Sequence, residues 1–164
     1  MAIGETAGSN QGPKGIGGWL LLLAVGVCLS PLLIFKGIVS NLGVISGEAW
    51  QAITTVGEPA YHPLFGPLVI GETLVQLSLL AVSVVNLVCF FTKNRRFPSL
   101  MASLLITTVA YLVVDTLLAS MIVPPAYRGK MGEQVGDIVR VAIPAFIWLT
   151  YLRRSRRVQN TFVR

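Results

Sequence analysis

Three ionisable residues, Glu72, Asp115 and Arg140, stand inside long apolar runs of the sequence. A charge in lipid is costly, faces the interior of a helix bundle and takes a partner there, so each is a candidate functional group. At roughly 1.5 Å rise per residue, Glu72 is expected about 7 Å, Asp115 about 12 Å and Arg140 about 4 Å below one membrane boundary. An arginine fork accommodates two carboxylates, so a bridge from Arg140 to Asp115 or Glu72 is expected. The neighbouring polar residues fall on helical stripes, Glu72, Gln76, Ser83 and Asn86 in one run and Thr108, Tyr111 and Asp115 in the next. These stripes are expected to face each other. Two uses stay open: hydrogen-bonded glue between helices, or a polar cavity holding a proton, an ion or a small ligand.

Other chemistry is sparse. His62, the only histidine, stands beside Pro63 in a turn-rich segment and is a poor general base. Cys28 and Cys89 fall at different depths of their runs, so no disulfide is expected, and both read as small apolar side chains. No metal-ligand, redox or haem-attachment spacing is present, and no catalytic residue, metal or cofactor is assigned.

The elements that must position these groups are membrane spans. Of 164 residues, 54% are hydrophobic and 12% charged, and the mean hydropathy is +0.72, whereas soluble domains carry about 25% charged residues. A large soluble catalytic domain is excluded. The apolar runs predict four transmembrane helices over about 17–39, 67–91, 97–123 and 137–152, with Pro31 kinking the first and Pro144 the fourth. The first run is read as an uncleaved span, since it is too long for a signal peptide and lacks a cleavage site. Residues 1–15 read as a disordered lead, 16–152 as the transmembrane domain and 153–164 as a basic tail.

One set of flanking segments holds Lys14, Lys93, Arg95, Arg96 and the five arginines from Arg153 to Arg164; the other holds Lys36, Arg128, Lys130 and Arg140. The richer side is expected inside, giving an all-α membrane protein with both termini cytoplasmic. The run Arg153-Arg-Ser-Arg-Arg then reads as a juxtamembrane contact to anionic lipid, and no nucleic-acid partner is expected. In the first outer loop, Ser46 as N-cap and apolar residues three and four apart predict a short amphipathic interfacial helix with Trp50 at headgroup level.

Two passages carry a family resemblance: Gly12-Pro-Lys-Gly-Ile-Gly-Gly-Trp-Leu with the following Leu29-Ser-Pro, and Ile147-Trp-Leu-Thr-Tyr-Leu-Arg-Arg-Ser-Arg-Arg-Val-Gln-Asn-Thr-Phe-Val. Together they resemble the bacterial inner-membrane proteins grouped as domain-of-unknown-function family 2569. The matched positions are Gly17, Gly18, Trp19, Pro31, Trp148, Tyr151, Ser155, Arg157, Val158, Thr161 and Phe162. The resemblance implies a four-helix, multi-pass protein of the bacterial inner membrane and carries over no catalytic residue. Trp19, Trp148 and Tyr151 are expected to form an aromatic belt at the inner boundary. Anchoring does not account for Thr161 and Phe162, which are expected either to dock on the loop around Lys93 to Pro98 or to bind a partner.

The function expected from these features is non-catalytic: an accessory or interaction subunit whose contact motif is Ser155, Arg157, Val158, Thr161 and Phe162. Its partners would be membrane lipids and either another membrane protein or a second copy of the chain. The alternative is a small oligomeric transporter or proton-coupled sensor built on Glu72, Asp115 and Arg140, with Gln76 and Tyr111 beside them.

Overall fold

The first apolar run folds as one helix, α1 (Trp19–Ser46), which runs on past the expected end at Val39. Its 28 residues at about 1.5 Å each exceed the roughly 30 Å of a bilayer core. Pro31 lies inside it and cannot donate to the Val27 carbonyl one turn back. The Ser30 hydroxyl donates to that carbonyl instead, at 3.1 Å, so helical geometry continues through the proline. The computed structural model describes residues 15–122 and 131–163. The expected lead up to Lys14, and Arg128 and Lys130, lie outside the described residues.

After α1 come α2 (Glu48–Thr54), α3 (Phe65–Phe91), α4 (Phe97–Ile122), α5 (Met131–Arg154) and α6 (Arg156–Thr161). The described residues form helices and turns with no strand. Four helices, α1, α3, α4 and α5, are long and apolar enough to cross a membrane. The fourth span starts earlier than Asp137 and is helical through Pro144. The described helices pack in the order α1 on α3, α3 on α4 and α4 on α5.

Local chemistry explains the turns. Between α3 and α4, Lys93 takes φ 54°, a left-handed backbone. This lets Asn94 N–H donate to the Cys89 carbonyl at 2.8 Å and Lys93 N–H to Phe90 at 3.1 Å, a Schellman closure of α3. The Asn94 side-chain oxygen then accepts from Arg96 N–H at 2.9 Å and starts the return. Ser46 does not cap α2. It is the last residue of α1, its hydroxyl donating to the Leu42 carbonyl, and Gly47 holds the cap position. The Trp50 ring lies over Gly66, where a Cβ would stand 3.4 Å from it, and fastens α2 to α3.

Buried apolar residues concentrate at the end of the bundle where α1 begins and α5 finishes, the basic end. Leu20, Leu23 and Val27 of α1 meet Phe90 of α3, Phe97 and Met101 of α4, and Val158 and Phe162 of the tail. The tail is tied in by the opening glycines. Gly15 N–H donates to the Thr161 hydroxyl at 3.1 Å. Arg157 lays its guanidinium over Gly17 and Gly18, where a Cβ would stand 2.9 and 3.3 Å from Nη1. Gly18 also has φ +57°. Gly18→Ala is therefore expected to combine about 1–3 kcal/mol of backbone strain with displacement of Arg157. The thermal midpoint in detergent should fall by roughly 5 °C; an unchanged midpoint would contradict this account.

Candidate functional site

At the opposite end the packing loosens and polar side chains gather. Helices α1 and α3 run antiparallel, so residues four apart on one meet residues four apart on the other. Gly37 and Asn41 of α1 stand against Gln76 and Glu72 of α3. Asn41 Nδ2 donates to Glu72 Oε2 at 3.4 Å. A Cβ on Gly37 would stand 3.0 Å from Gln76 Oε1, so the glycine makes room for the amide. Helix α4 adds Asp115, whose carboxyl faces that of Glu72, and Tyr111, whose hydroxyl lies beside Gln76. The result is two stacked layers, Asn41, Glu72 and Asp115 above Gly37, Gln76 and Tyr111.

Glu72, Tyr111 and Asp115 line a cleft of about 400 Å³ between α3 and α4. Its other walls, including Leu64, Pro67, Leu118 and Ile122, are apolar and continue to the ends of both helices. Three polar atoms among the described residues are buried without a hydrogen-bond partner, Asp115 Oδ1 and Gln76 Oε1 here and Asn86 Oδ1 further along α3. Such atoms are expensive to leave unsatisfied.

The expected cation is elsewhere. Arg140 pairs with Asp137, three residues back on α5, at 2.9 Å, and the two side chains are 81% and 61% exposed. The bridge from Arg140 to Asp115 or Glu72 is thus corrected. A partner one turn away on the same helix satisfies the guanidinium without burying it, and α5 packs on α4 rather than on α3. Among the described residues no cation forms an ion pair with either carboxyl of the cluster.

The interhelical-glue reading is also narrowed. Thr73, Ser78, Ser83, Asn86 and Thr108 donate to carbonyls three or four residues back on their own helices. In an apolar setting the nearest acceptor is that preceding-turn carbonyl, so these donors are satisfied within their own helices instead of bridging to a neighbour, while Asn86 Oδ1 is left buried without a donor. The stripe crosses between helices at its Glu72 end.

The tail motif that could have met a partner is used inside the chain. Val158, Thr161 and Phe162 are buried. Ser155 caps α6 by accepting from Val158 N–H, and Phe162 stacks on Phe97 with centroids 4.5 Å apart. Of the aromatic anchors, Trp19 is exposed at the basic end and Trp148 and Tyr151 meet edge to face at 5.9 Å. Cys28 and Cys89 are both free, and Cys89 is buried. Among the described residues no three or more histidine, cysteine or carboxylate side chains are grouped so as to hold a metal ion.

Gly37 and Asn41 are the site residues missed in the sequence. The predicted first span ends at about residue 39, which leaves Asn41 beyond it, whereas α1 continues to Ser46. Their four-residue spacing, matching that of Glu72 and Gln76, was the available signal.

Four apolar helices, with the start of α1 and the end of α5 tied together through Gly15 and Thr161, define an all-α, multi-pass membrane protein. The family model for the protein of unknown function DUF2569 matches residues 13–163, and the chain belongs to that family. No curated protein and no solved structure matches it.

Proposed function

We propose that this is a non-catalytic membrane protein that takes up a proton or a small cation between Glu72 and Asp115, working as an oligomeric transporter or proton-coupled sensor. The observation that carries the reading is the meeting of two carboxyls from adjacent spans with no cation paired to them among the described residues, beside an open cleft. Two carboxyls side by side in apolar surroundings are stable together with a cation between them or a proton shared by the pair, and no cation of the described residues is paired to either. Asn41, Gln76 and Tyr111 add neutral donors and acceptors that can follow a change of charge without leaving their helices. The accessory-subunit reading loses its main support, because the tail assigned to a partner is buried against the chain itself. The excess of lysine and arginine at the basic end supports placing both termini in the cytoplasm and the protein in a bacterial inner membrane, with the cleft on the outer side.

The test is ion movement in proteoliposomes carrying a pH-sensitive dye inside, under an imposed gradient of protons and then of sodium. Wild type is expected to carry a flux or, if a sensor, to change its tryptophan emission with the cation. Glu72→Gln and Asp115→Asn should each lower the response about tenfold or more, the weight of one charged contact. Equal responses in wild type and both variants would overturn the reading.

A further inference from the structure

A second concavity lies at the basic end, away from the acidic pair. Trp19 at the start of α1 faces Trp148, Tyr151, Arg154 and Ser155 at the end of α5 across a groove of about 420 Å³. The groove exists because α5 packs on α4 and leaves its seam with α1 open. Its floor is aromatic and its rim is cationic. Trp19 is 65% exposed, and the edge-to-face contact of Trp148 with Tyr151 holds the opposite wall.

The charge around the groove has one sign. Lys93, Arg95 and Arg96 from the α3–α4 turn join the four arginines between 153 and 157, and no described acidic residue lies at this end. Arg154 lines the groove and makes no ion pair among the described residues. The Arg157 guanidinium sits over Gly17 and Gly18, immediately before Trp19, and so borders the same mouth. A guanidinium with free donors beside an aromatic shelf at the end of a span fits a phosphate above and an acyl chain below.

We infer that this groove seats one anionic phospholipid, its phosphodiester on Arg154 and its glycerol and upper acyl chain between Trp19 and the Trp148–Tyr151 pair. Charge complementarity selects this occupant over a zwitterionic lipid. The apolar floor selects it over a free phosphate. A lipid there fills the open seam between the start of α1 and the end of α5.

The experiment titrates the full chain in dodecylmaltoside micelles with dibromo-phosphatidylglycerol and, separately, dibromo-phosphatidylcholine, reading quenching of tryptophan emission. Trp50 is remote from the groove and contributes a constant background. Phosphatidylglycerol should quench at about fivefold lower concentration than phosphatidylcholine, the weight of one basic residue near an anionic surface. Arg154→Gln should bring the two lipids level, while Arg95→Gln, on the turn, should keep the preference. Equal quenching of wild type by both lipids would overturn the site. So would a preference that survives Arg154→Gln, or one that Arg95→Gln removes equally, since either result assigns the effect to diffuse charge. Displacement of the quencher by equimolar glycerol 3-phosphate would assign the seat to a soluble anion instead.

Discussion

Phe162→Ala should lower stability by about 3–5 kcal/mol, the usual range for truncating a buried phenylalanine. For a chain of this size that is on the order of 10 °C in thermal midpoint. Phe162 is 4% exposed although only two residues of the sequence follow it. Its ring stacks on Phe97 at 4.5 Å and meets Phe90 at 5.6 Å, and those two rings meet each other at 5.1 Å. Removing one of the three deletes apolar burial and two aromatic contacts of about 0.5–1.5 kcal/mol each. The cavity opens where α1, α3, α4 and the tail converge, so the loss is shared by every helix that meets there.

Thr161→Ala is the calibrating variant. It removes the acceptor of the Gly15 N–H and should cost about 1–3 kcal/mol. Scanning fluorimetry in detergent measures both variants, and trypsin cutting at the arginines from 153 to 157 reports whether the tail has lifted. A Phe162→Ala protein that melts with wild type but loses a copurifying protein would return the tail to the role of partner contact.

How much of this was legible in advance depends on which interactions are local. Long apolar runs make spans because each helix satisfies its own backbone in lipid, so the four spans could be read directly. The ends were harder. Ser46 looks like a cap because serine caps helices, yet the apolar run of α1 carries the helix through it. Arg140 looks like a bridge to Asp115 on depth alone, but depth does not say which way a side chain points, and Asp137 lay one turn away. Thr161 and Phe162 stood out as unexplained by anchoring. Phe97, 65 positions away, lies in the stretch from Lys93 to Pro98 expected as the docking site, whereas Gly15, 146 positions away, is a partner that no local pattern encodes. The acidic pair was found from its residue types, while its α1 wall, Gly37 and Asn41, appeared only when antiparallel packing brought the two four-residue spacings into register.

The acidic pair also makes a prediction whose sign separates its two possible roles. The double variant Glu72→Gln, Asp115→Asn keeps the shape of both side chains and one acceptor oxygen on each, exchanges the other oxygen for an amide donor, and removes both charges. If the pair were structural glue, the variant would weaken the contact between α3 and α4 and melt earlier. If the pair is a site held open for a cation, the resting protein brings together two carboxyls that no described cation pairs with, and Asp115 Oδ1 is buried without a hydrogen-bond partner. Relieving them should then stabilise the bundle. Neutral replacement of buried charged groups gains about 1–4 kcal/mol in favourable cases, which here is roughly 3–10 °C. The gain should be largest without added cation, because a ligand that binds the folded wild type raises its stability and cannot raise that of the variant. Thermal midpoints of the two proteins, measured with and without sodium at fixed ionic strength and across a pH series, read this directly. A variant that melts below wild type under every condition would assign the cluster to packing. A variant that melts above wild type and no longer responds to cation or proton concentration would identify the pair as a site kept at the expense of stability.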